Sequence, residues 1–124
     1  MNDKLEHMFQ LREEFTNRLQ EQIPECMPDL PLDLQTKASQ QFCRDITFRA
    51  VEELFEAVAI FKNWKPHRKT EVPEFDYDHF LEEIVDSLNY IFELVSLAGF
   101  SAEDLYLAFL KKDATLHDRL DSGY

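Results

Sequence analysis

Apolar residues recur at a helical period along almost the whole of this 124-residue chain. Leu5, Met8, Phe9, Phe15 and Leu19 mark a first amphipathic helix. Pro24, Pro28 and Pro31 interrupt helical hydrogen bonding, so the segment between them reads as a connector. A second helix is predicted from about Leu34 to Lys62, ending in a loop that carries Trp64, Pro66 and Pro73. The third begins near Asp76 or Asp78, both acceptable N-caps, and ends at Gly99 as its C′ residue. Ser101-Ala102-Glu103-Asp104 has the form of a capping box for a fourth helix reaching roughly Arg119. Gly99 and Gly123 are the only glycines and Asn-Gly and Asp-Gly pairs are absent, which leaves strands few places to turn. The expected fold is all-α, a four-helix-type bundle in a single domain over residues 1–124.

The polar positions then break the pattern in one place. Glu53 and Glu56 on the second helix, and Glu83 and Asp86 on the third, are carboxylate pairs three residues apart, about 5–6 Å between Cβ atoms. If the helices pack antiparallel, four carboxylates converge. A solvated face is the commoner meaning of acids on a helix, but these helices carry apolar residues on more than one side. Val51, Leu54, Phe55 and Val58 lie opposite the acids of the second helix, while Phe42 and Ile60 fall in or beside the acidic arc. On the third, Phe80, Ile84, Leu88, Ile91 and Val95 form the predicted core stripe, with Glu83, Asp86 and Tyr90 on a separate arc of about 60°. A second helix buried between neighbours would need something to neutralise its acids, and all-oxygen ligation suits Mg²⁺ or Mn²⁺.

Charge narrows the function. With 25 acidic against 13 basic residues the net charge is −12, which argues against a general nucleic-acid binder. Cys26 and Cys43 have no metal-ligand spacing and are expected to be small buried side chains in a reducing compartment. No apolar run approaches the roughly 20 residues of a membrane span, and no signal peptide is evident, so a cytoplasmic location is expected.

The motifs carry a resemblance. Glu52-Glu53-x-x-Glu56 followed by Glu83-x-x-Asp86 resembles the EExxE…ExxD signature of the all-α nucleoside triphosphate pyrophosphohydrolases, which include the MazG-type enzymes and the dimeric dUTPases. Lys62-Asn63-Trp64-Lys65 and Asp86-Ser87-Leu88-Asn89-Tyr90 are similar to further dUTPase elements, and the tail from Lys111-Lys112 through Arg119 to Gly123-Tyr124 is similar to the family's ending. Departures occur at Leu116, where the family usually has Asn, and at Arg12 and Thr16, where Gln and Asn or Asp stand near the base. The resemblance implies Mg²⁺-dependent hydrolysis of a (d)NTP to a monophosphate and pyrophosphate and leaves the base open.

In that chemistry Glu53, Glu56, Glu83 and Asp86 hold the metal, and Glu52 or one of the ligands accepts a proton from the attacking water. Lys112 and Arg119, seven residues apart and so on one face, are expected to clamp the outer phosphates, and Tyr124 to close over the nucleotide. Lys62 and Lys65 are expected at the phosphates, and Asn89 and Tyr90 at the base. Trp64 reads equally well as a base-stacking ring and as a core plug. Apolar surface on several helix faces points to a homodimer or homotetramer. The competing readings are a non-catalytic acidic helical module, which would explain −12 by itself, and a house-cleaning or purine-specific diphosphatase.

Overall fold

A computed structural model describes residues 3–69, 71 and 74–123. Among them are four α-helices, a short 3-10 turn and no strand. Each helix begins where a side chain can take up an orphan backbone N–H. Helix α1 (Lys4–Gln22) starts at Asp3, whose carboxylate accepts from Leu5 N and Glu6 N. Pro24 opens the 3-10 turn Pro24–Cys26 that follows. Helix α2 (Lys37–Val58) starts at Thr36, which accepts from Ser39 N, and ends at Val58, short of the predicted limits at Leu34 and Lys62. The difference at the start is local: Asp33 and Thr36 form a turn of their own, and Gln40 Nε2 donates back to Leu34 O. At the end, Ile60 N and Phe61 N bond to Ala57 O and Val58 O and tighten the last turn.

Helix α3 (Tyr77–Leu97) is capped by Asp76, which accepts from His79 N. It closes in a Schellman motif: Phe100 N donates to Val95 O and Gly99 N to Ser96 O, with Gly99 at φ +92°. Nothing lies within 4 Å of where a Gly99 Cβ would stand, so the left-handed backbone alone requires glycine there. Two residues later Ser101 and Asp104 exchange both bonds of the predicted capping box and start α4 (Ala102–Asp121). That bond from Ser101 N also holds the Asp104 carboxyl below its ordinary range. The chain bends by 103° between α3 and α4.

α2 and α3 pack antiparallel and form the main helix pair. They meet through small residues. Ser87, 1% exposed, donates through Oγ to Ala50 O at 2.9 Å, and Ala50 and Ala57 are buried on α2. Close approach of the two backbones at these positions brings neighbouring side chains on the same helices face to face. At the far end Phe61 stacks on Phe75 at 5.1 Å, Phe80 packs tilted against both at 5.2 and 5.7 Å, and the three tie the α2–α3 loop to the pair. α1 and α4 join through a small cluster of Phe9, Phe92 and Ala102, flanked by Leu5, Val95 and Leu105.

The predicted burial differs from this. On α3, Leu88 and Ile91 of the expected stripe are exposed, and the buried residues are Ser87, Phe92 and Glu93. On α2 the face carrying Val51, Leu54, Phe55 and Val58 is exposed, Phe55 to 69%. The periodicity identifies apolar faces, but one copy of the chain has enough helix to cover only one face of each. Cys26 is exposed and Cys43 half-buried, not buried as expected; partial burial pushes the Cys43 thiol up. The total accessible surface is 9906 Å². A compact monomer of this mass would expose about 6,900 Å². The excess is about 3,000 Å² by that same scaling.

Candidate metal centre

The α2–α3 register that joins Ala50 to Ser87 sets the acids opposite one another one turn further along. Glu53 reaches across to Glu83 and Asp86, and oxygen atoms of these three half-buried residues lie within 4.8 Å of one another. Glu52 and Glu56, both exposed, form a second such group with Glu53, again within 4.8 Å. Glu53 is therefore the hinge of the whole set. Every acid expected at the site from the sequence is in one of these two groups.

Like charges this close cannot all remain ionised without a counter-charge. The Glu53 carboxyl is pushed up to about 7, first by burial and then by hydrogen bonding and repulsion from Glu56, with Glu83 and Asp86 adding to it. Glu83 Oε1 is bonded to His79 Nε2 at 3.1 Å, an interaction that is an ion pair only when the imidazole is protonated. Its other oxygen, Oε2, is buried with no hydrogen-bond partner. An orphaned carboxylate oxygen inside a ring of carboxylates is costly as it stands and matches the donor set of a hard divalent cation. The residues present fit Mg²⁺ or Mn²⁺.

The remaining expected residues are distributed unevenly. Trp64 is 58% exposed, so it is not a core plug; Lys65 Nζ lies 5.5 Å from its ring centroid. Lys62 is exposed and Lys65 half-buried on the same loop. Asn89 and Tyr90 are half-buried one turn beyond Asp86. Lys112 and Arg119 are exposed on α4, which packs on α1, and among the described residues neither pairs with an acid of the cluster. Within a single chain they are not brought to the site. Tyr124 lies outside the described residues.

Glu93 was not predicted at a site, although Arg12, Thr16 and Tyr90 beside it stand at positions expected near the base. Two turns beyond Asp86, Glu93 is 4% exposed and accepts from Thr16 Oγ1 at 2.6 Å, with Arg12 at 3.6 Å. The Arg12 guanidinium lies 5.0 Å from the Phe15 ring and 5.1 Å from the Tyr90 ring. The signal was available, since Glu93 is the only charged residue between Ser87 and Ala102. A cavity of ≈ 410 Å³ opens beside this group, lined by Phe42, Ile46 and Arg49 of α2 as well as by Tyr90. Another, of ≈ 270 Å³, lies between α1, the Leu30–Leu34 segment and the end of α3.

Comparison with known protein families, with curated proteins and with solved structures finds nothing that matches the chain. No single helix among the described residues is long and apolar enough to cross a membrane.

Proposed function

We propose that this chain is a divalent-metal-dependent hydrolase of phosphoanhydrides. More particularly, it is a pyrophosphohydrolase that converts a nucleoside triphosphate to the monophosphate and pyrophosphate, in the manner of the MazG-type enzymes and dimeric dUTPases that its motifs resemble. The observation that carries the reading is the convergence of Glu53, Glu83 and Asp86 from two helices around a buried, unpartnered carboxylate oxygen. Glu53, Glu56, Glu83 and Asp86 would hold the metal. When bound, Mg²⁺ draws charge from phosphate oxygens and lowers the pKa of water. Glu52, exposed beside Glu53, would accept the proton of the attacking water. Arg49 and Tyr90, each one turn along its helix from Glu53 and Asp86, line the ≈ 410 Å³ cavity, which would take the nucleoside. Such a substrate belongs to the cytoplasm.

Self-association completes the proposal. The excess of about 3,000 Å² per chain, about 6,000 Å² over two copies, is enough to supply what obligate homodimers bury in total, 2,000–5,000 Å² or more in rough terms. A second copy is the partner always at hand for a face that must be covered for the fold to persist. It would also bring Lys112 and Arg119, idle in one chain, within reach of a neighbour's acids. Sedimentation at micromolar concentration is expected to give a multiple of 14.7 kDa. A 14.7 kDa species would remove this part of the proposal.

The test of the activity is product analysis by phosphorus NMR. The purified chain is incubated with Mg²⁺, or with Mn²⁺, against the common dNTPs, dUTP and NTPs. Monophosphate with pyrophosphate is the expected pair of products. Release of orthophosphate would indicate a different bond, and no release from any nucleotide would overturn the reading.

A further inference from the structure

Of the clustered acids, Glu83 alone among the described residues is bonded by a donor from outside the cluster. His79 Nε2 lies 3.1 Å from its Oε1, while Oε2 is buried with no hydrogen-bond partner. The two oxygens of one carboxylate thus have opposite surroundings. An ionised carboxylate only accepts, so Nε2 carries the hydrogen of this bond. The pair spans one turn of α3, and the imidazole is 52% exposed against 13% for the Glu83 side chain, so His79 covers Glu83 from the solvent side. An exposed pair of this kind contributes little to stability. The helix gains nothing from it either: His79 is the third residue of α3, where the positive end of the helix dipole disfavours a basic side chain. Its backbone N–H is satisfied by Asp76, a bond that does not depend on the imidazole. What the ring does is hold one oxygen of Glu83 and leave the other turned inward.

We infer that His79 is a positioning residue that restricts Glu83 to one oxygen donor and thereby tunes the centre toward small octahedral cations, Mg²⁺ and Mn²⁺, and away from Ca²⁺. The inference rests on the metal-centre reading of the acids and goes beyond it to the choice of ion. Mg²⁺ demands near-ideal octahedral ligation at roughly 2.0–2.1 Å, whereas Ca²⁺ accepts roughly six to eight ligands at about 2.3–2.6 Å and takes a carboxylate through one oxygen or both. With Oε1 held by the imidazole, Glu83 has only Oε2 to offer. A glutamate side chain loses rotamer freedom when it is fixed, and part of that loss falls here in the folding of α3, through the bond to His79. Without the ring, water can donate to Oε1 in its place. Water does not fix the carboxylate plane, however, and Glu83 is then free to turn both oxygens to a larger ion. Hydrogen-bonding partners behind metal ligands orient them in this way, and their loss weakens metal binding about 10–100-fold.

The experiment is calorimetric titration of the full chain with Mg²⁺, Mn²⁺ and Ca²⁺ chlorides at pH 8, for wild type, His79→Ala and His79→Gln, with melting of the metal-free proteins alongside. His79→Ala is expected to bind Mg²⁺ about tenfold more weakly and Ca²⁺ with little loss, so the Mg²⁺-to-Ca²⁺ affinity ratio falls by about the same factor. Glutamine can donate to a carboxylate one turn along a helix, so His79→Gln should restore the ratio. Should His79→Ala not fold, His79→Phe, which keeps a ring and lacks the donor, is expected to show the same fall. A purely structural His79 would lower the metal-free melting temperature and weaken all three ions alike. An imidazole acting only as a repelling charge would, once removed, tighten all three alike. Either result, or a ratio that glutamine does not restore, overturns the inference and leaves the metal centre standing. Wild-type protein that binds none of the three ions overturns the metal centre itself, and the inference with it.

Discussion

Saturating Mg²⁺ is expected to raise the melting temperature by about 10 °C at pH 8 and by little at pH 5. The size follows from linkage: a ligand at a hundredfold excess over its Kd stabilises the folded state by about 2.7 kcal/mol, and for a chain of this length each kcal/mol is worth about 4 °C. The pH dependence follows from Glu53. Its carboxyl is pushed up to about 7 from an ordinary 4.5, so the folded state holds that proton more tightly than the unfolded chain does. The stability this contributes is complete below about pH 4.5 and is lost as the pH rises through about 7. Without metal the protein should therefore melt earlier at pH 8 than at pH 5, as far as this group is concerned. Mg²⁺ takes the proton's place, and its effect grows across the same interval. Differential scanning calorimetry with and without chelator measures both curves. A Mg²⁺ effect that is absent at pH 8, or the same at pH 5, would mean that the acids do not act as a metal site.

Glu53→Gln should separate catalysis from stability in opposite directions. Glutamine keeps the shape and cannot ionise, so the metal-free variant is expected to melt at or above the wild-type temperature at pH 8. Turnover should nonetheless fall by about 10³-fold, the scale seen when one electrostatic stabiliser is removed from an active site, because Glu53 belongs to both acidic groups. The Mg²⁺-induced shift should shrink with it. Single-turnover kinetics and thermal scans on the same preparation provide the comparison. A non-catalytic acidic module predicts no loss of any activity and nearly unchanged partner binding. Wild-type turnover in the variant would exclude the proposed role of Glu53.

The helix ends were the most legible part of the fold, because each is marked by a residue with a specific backbone task. Gly99, Asp76 and the Ser101–Asp104 pair stand where the sequence put them. Thr36 was less visible, since a threonine inside a run of polar residues looks like any other, and α2 was predicted to start too early. The acids could be read from their spacing: three residues on a helix is a local relation that survives whatever the tertiary packing does. Burial could not, because it depends on what stands opposite. Leu88 and Ile91 have the pattern of core residues and lie bare, whereas Ser87 and Glu93, polar by type, are covered by Ala50 and by Thr16 with Arg12. The pairing of Glu93 with residues 77 and 81 positions away joins two helices and has no local signature.

The corner at Gly99 bears on how α4 would meet a second copy of the chain. The Schellman bonds and the capping box lie two residues apart, with no slack between them, so the direction of α4 is set by the chain's own backbone. Tyr106, Leu107, Phe109 and Leu110 are thereby held out as a preoriented arm. Ordering such an arm costs conformational entropy whenever it happens, and here that cost falls in the folding of the single chain. Association would then be penalised mainly for lost rigid-body freedom, which favours a long-lived complex over one that folds and unfolds with each encounter.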